Sequence, residues 1–181
     1  MTIPERLKVP EIFEEEIREY TEICNSIENG IHTDQDISAL LQKWNNRSCL
    51  QYEPHEFTTY YGSVSTEEFV REALLPVACR IDDLTYSELI TVLQAVLSAE
   101  FRESEHSYYL NLLEENLPGS NIIDLIYWPD QWFNDSNQLH LELTPDQIAA
   151  YAMLKSGRKI EGAPNDIELP LPVPKKSVIY L

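Results

Sequence analysis

Four histidines, three cysteines and 31 carboxylates are the residues of this 181-residue chain that could do chemistry. His32, His55, His106 and His140 are scattered, whereas a local metal or base motif needs its members within a turn or two of one another. The stretch SEHSYY sets Glu105 beside His106, but Leu110 stands where a zinc-binding helix would need a second histidine. Cys24, Cys49 and Cys79 are an odd number with no CxxC or CxxH spacing, and they read as buried free thiols in a reducing compartment. The neighbours Asp82–Asp83 and Glu114–Glu115 could share a proton as general acid and base. In so acidic a chain, such neighbours arise from composition alone. There is no GxSxG elbow and no glycine-rich phosphate loop, and five glycines leave little material for one. The residues therefore predict a protein that is not an enzyme and carries neither metal nor cofactor.

The charge is more informative. Thirteen basic residues against 31 acids give a net charge of −18, and only three acids, matched by three bases, lie beyond Arg158. The acidity belongs to the folded body. Such a field repels nucleic acid and anionic membranes and attracts basic proteins, although it also serves plain solubility. The start, MTIPERLKVPEIFEEE, has no apolar signal core, and no run approaches the roughly 18 apolar residues of a membrane span. A cytoplasmic, soluble protein is expected.

Helix signals dominate the elements that must position any site. PEIFEEEIREYTEICNSIENG begins at Pro10, spaces Ile12, Phe13, Ile17, Tyr20, Ile23 and Ile27 on one face, and stops at Gly30. Thr33 looks like the cap of a second helix through Trp44. Ser65–Glu68, Thr85–Glu88 and Thr144–Gln147 each have the spacing of a capping box. A helix from Ser104 ends at Pro118–Gly119, and one from Pro145 ends before Gly157. Strand candidates are Asn137–Leu143 and the terminal KSVIYL. The proline-rich stretch after Arg158 is extended, either as a strap across the body or as a ligand for a proline-reading module. The expected fold is all-α: an N-terminal helical region (1–80), a four-helix region (81–158) and an extended tail (159–181).

One segment concentrates aromatic and acidic residues, Asn121 to Phe133, NIIDLIYWPDQWF. Tyrosine and tryptophan combine large stiff apolar faces with a hydrogen-bonding group, the profile of interface anchors, although they also pack cores. The run DLIYWP, preceded by DLTYSELITVLQAVL and followed by a capped last helix, resembles the colicin and pyocin nuclease immunity proteins. These are small acidic four-helix proteins. The likeness covers Asp82 to Ser156. It departs in Trp128, where the family has a second tyrosine, in a longer link from Asp130 to Leu143, and in the first eighty residues, which have no counterpart. The resemblance implies an immunity protein of a bacteriocin or contact-dependent inhibition system, which neutralises a basic nuclease toxin by stoichiometric binding. It implies anchors at Asp124, Tyr127 and Trp128, with Glu105, Glu114 and Glu115 setting partner choice. The other reading is an acidic helical adaptor that binds a different basic protein.

Overall fold

The computed structural model describes residues 2–98 and 100–174. Among them there are eight α-helices and no strand; the isolated bridge of Thr85 with Glu161 is the sole β pairing. The chain divides into two compact units. One gathers Lys8–Val77 with Phe101–Tyr108, and the other Met1–Leu7, Ala78–Glu100 and Tyr109–Leu181.

The first unit holds α1 (Glu14–His32), α2 (Ser38–Arg47) and α3 (Thr66–Leu74), with 3-10 turns at Pro54–Thr58 and Tyr60–Gly62. Its core is aromatic. Trp44 is fully buried, stacks on Phe69 at 5.7 Å, and meets the edges of Phe57 at 5.0 Å and Tyr52 at 5.8 Å. Tyr60 stacks on the same Phe69 at 4.4 Å. Such ring pairs add to the area they bury, so a small unit gains a dense core from few residues. Around it three bases are engaged with acids: Glu16 pairs with Arg47, Glu19 with Lys43 at 2.6 Å, and Glu14 and Glu67 with Arg71 at 2.8 Å each.

Three caps differ from the sequence expectation: Gly30, Thr33 and the Ser65–Glu68 box. Gly30 does not end α1, which runs to His32 with Thr33 as its C-cap. A Cβ on Gly30 would lie 2.4 Å from Ile37 Cγ2, so the glycine admits the following segment rather than stopping the helix. Helix α2 therefore starts at Ser38, where Asp36 Oδ1 accepts the backbone N–H at 2.9 Å. In α3, Ser65 accepts from Glu68 N at 3.2 Å. The carboxylate of Glu68 turns instead to the backbone N–H of Ser104 at 3.1 Å, near the start of α5.

The second unit contains α4 (Tyr86–Ser98), most of α5 (Glu103–Asn116), α6 (Ile122–Tyr127), α7 (Pro129–Phe133) and α8 (Pro145–Ser156). Both α4 and α6 pack on α8, which buries Ile148 and the run from Ala149 to Ala152. The alanines let backbones come close. The boxes at Thr85–Glu88 and Thr144–Gln147 are complete, with each backbone N–H of the cap answered by the acid or amide three residues on. Gly157 ends α8 at φ 75°, a left-handed turn that suits glycine.

Segment 79–83 has no regular structure and is held by side chains. Asn116, buried at the end of α5, accepts from Ile81 N at 2.9 Å and donates to Cys79 O at 3.2 Å. Arg158 donates to Asn116 O and Oδ1 at 2.7 and 2.8 Å and to Ile81 O. Arg6 reaches Asp83 and Glu88.

Asn137–Leu143 is not a strand. Asp135 accepts from the backbone N–H and the side-chain amide of Asn137 and from Gln138 Nε2, which winds Ser136–Gln138 into a 3-10 turn. The other strand candidate, KSVIYL, lies outside the described residues. From Arg158 to Pro174 the chain is largely irregular, and Tyr151 OH donates to Leu171 O at 2.6 Å and accepts from Leu171 N at 2.9 Å. Cys24 is buried and its thiol is pushed up to about 11 by burial, but Cys49 and Cys79 are exposed, against the expectation of three buried thiols.

Candidate partner-binding face

The segment from Asn121 to Phe133 forms two short helices where the sequence suggests one. Asn121 takes the left-handed conformation at φ 51°, which turns the chain out of Ser120 into α6. Ile122 and Leu125 are buried, so one side of α6 faces the core. Pro129 has no N–H and cannot continue that helix, yet its fixed φ suits the first position of a new one. Trp128 sits at the corner with φ −135° and ψ 62°. Its N–H ends α6 on Asp124 O at 2.8 Å, and its carbonyl starts α7 by accepting from Gln131 N and Trp132 N.

The corner sorts the aromatics. Trp132 is 5 % exposed; its indole N–H donates to Ser120 O at 2.8 Å, and its ring meets Tyr151 at 5.4 Å. Phe133 packs edge-on to Tyr151 at 5.1 Å. Tyr127 and Trp128 face out instead, 41 % and 46 % exposed, with ring centroids 5.7 Å apart and planes inclined by 60°. The crowding noted in the sequence thus has two sides. Trp132 is buried in the core with Phe133 packed half-buried against it, and the other pair presents apolar ring surface to solvent.

Of the expected acids, Asp124 is half-buried on α6, one turn before Trp128. Among the described residues no hydrogen bond or ion pair of its carboxylate is found. Glu114 is half-buried on α5, and its Oε1 accepts from Ile123 N at 3.3 Å, supplying the first turn of α6 with an acceptor. Glu115 is exposed. These three share the second unit with Tyr127 and Trp128. Glu105 does not: it belongs with Lys8–Val77, where it lines a shallow groove with Ile12, Arg71, Leu75 and Arg102.

Lys155 was not legible from the sequence as part of this region. Its Nζ lies 4.5 Å from the centre of the Trp132 ring, and the charges of Asp124 and Glu114 act on it. A lysine in the last turn of a helix ordinarily reads as a partner for the helix dipole.

No group of three or more histidine, cysteine or acidic side chains among the described residues could hold a metal ion. No helix among them is long and apolar enough to cross a membrane. What the face can offer is binding: stiff ring area for desolvation, with carboxylates beside it for a cation. No family model, curated protein or solved structure matches the chain.

Proposed function

We propose that the chain is an immunity protein that neutralises a basic bacterial toxin, a nuclease, by tight stoichiometric binding and without catalysis. The observation that carries this reading is the exposed pair Tyr127 and Trp128, with Asp124 one turn earlier and Glu114 bonded to the first turn of the same helix, on a chain of net charge −18. Two large rings left near half-exposed lose favourable burial energy in the free protein, and a partner that covers them recovers it. The acids draw in a basic partner at a distance. The likeness of DLIYWP and its flanking helices to the nuclease immunity proteins supports the same choice of partner.

Co-expression tests it. The toxin domain encoded next to this chain's gene should arrest growth alone and be harmless when the chain is present, with a one-to-one complex on purification. A neighbouring toxin domain that stays active against an equimolar amount of the chain would refute the proposal.

The adaptor reading draws on one observation, the placement of Glu105 in the unit formed by Lys8–Val77, apart in grouping from the other expected acids. It places a basic-protein contact on that unit, and there the complex would form without any toxin.

A further inference from the structure

Neither short helix of the aromatic corner can hold its own shape. Six residues in α6 and five in α7 fall far below the roughly 12–15 at which an isolated helix becomes even marginal in water. The attitude of Tyr127 and Trp128 is therefore set by whatever fixes the corner to longer elements.

One side chain contacts the corner and feels the charge of its neighbours. Lys155 stands in the last turn of α8, with its ammonium over the buried Trp132 ring of α7. Burial pushes its pKa below the usual lysine value, and the charges of Asp124 on α6 and Glu114 on α5 oppose that shift. Glu114 in turn accepts the Ile123 N–H at the start of α6. A cation held against an indole from which water is largely excluded interacts more strongly than an exposed one.

We propose that Lys155 is the positioning residue of the exposed aromatic pair: its ammonium holds the α6–α7 corner on α8 and so sets how Tyr127 and Trp128 are presented. The role gains its meaning from the partner-binding reading of that face, but its test needs no partner.

The chain has three tryptophans, Trp44, Trp128 and Trp132. Labelled as 5-fluorotryptophan, they give three ¹⁹F resonances, assignable by single Trp→Phe variants. Lys155→Met keeps the stem and removes the charge. In that variant the Trp132 and Trp128 lines should both shift and broaden while Trp44 stays in place, and Lys155→Arg should restore both positions. The ring under Lys155 is that of Trp132, so a Trp128 line unmoved in Lys155→Met overturns the proposal. Failure of Lys155→Arg to restore it does the same. Should Lys155→Met unfold, the double variant Asp124→Asn, Glu114→Gln removes the opposing charges and leaves the lysine. Trp128 must then move as well, and its constancy overturns the proposal. An inert toxin assay would leave these shifts standing, and an unmoved Trp128 would leave toxin binding standing, so the two failures are separable.

Discussion

Arg6 grips Glu88 with two parallel hydrogen bonds, Nε to Oε1 and Nη2 to Oε2, each 2.7 Å. Glu88 is also the acid of the α4 capping box, accepting from the backbone N–H and hydroxyl of Thr85 at 3.0 and 2.8 Å. A residue near the N-terminus thereby completes the cap of a helix that starts eighty residues later.

That grip, with the Thr85 bonds, holds Glu88 down at about 2, the Arg6 hydrogen bond being the largest cause. A carboxyl whose pKa is lowered by folding stabilises the fold above its unfolded value, and that contribution disappears as pH falls through the folded one. Glu88 therefore contributes fully above about pH 5 and loses its contribution towards pH 2. Arg6→Gln should lower the melting temperature at pH 7 and make the fall in stability between pH 5 and 2 shallower. Thermal melts of both proteins across that range check it; identical slopes would show that Arg6 does not govern Glu88.

Asn116 satisfies three chain segments at once: Ile81 N and Cys79 O, the carbonyl of Leu112, and the guanidinium of Arg158. Asn116→Leu removes the side-chain partner of the part-buried Ile81 N–H and Cys79 carbonyl and one of the acceptors of Arg158, and loss of a partner at a buried group costs about 1–3 kcal/mol. We expect a total of about 2–4 kcal/mol after relaxation, read as a lower urea midpoint with an unchanged slope.

At Gly30 two effects oppose each other. Alanine is the better helix residue by roughly 0.5–1 kcal/mol, but its methyl would meet Ile37 Cγ2 at 2.4 Å. Overpacking of this kind costs about 1–3 kcal/mol, so Gly30→Ala should destabilise. In an Ile37→Ala background the clash is gone, and the same change should become neutral or stabilising. Equal effects in both backgrounds would remove the steric account.

The sequence made the helical character and most caps legible because a capping box is local: four residues decide it. Glycine at position 30 misled because its reason is a contact with Ile37, seven residues on, not a left-handed turn. The alternation in Asn137–Leu143 misled because a strand needs a partner, and the Asx turn at Asp135 supplied a closer one. The aromatic segment was legible as a cluster, but not how Pro129 would split it into an inward pair, Trp132 and the half-buried Phe133, and an exposed one. Nothing local reveals that Phe101–Tyr108 groups with Lys8–Val77, since that grouping rests on contacts far apart in sequence, such as Glu68 to Ser104.

The central claim is that Tyr127 and Trp128 anchor a basic partner, and the direct measurement is the affinity of alanine variants for the neighbouring-gene toxin domain. Both rings are substantially exposed, so Tyr127→Ala and Trp128→Ala should melt close to the parent. Each should nonetheless weaken binding by about 2–4 kcal/mol, mostly through faster dissociation. Glu115→Gln should instead slow association and reduce its salt dependence. If both aromatic variants stay folded and bind the toxin domain as tightly as the parent, the face is not the anchor and the account is contradicted.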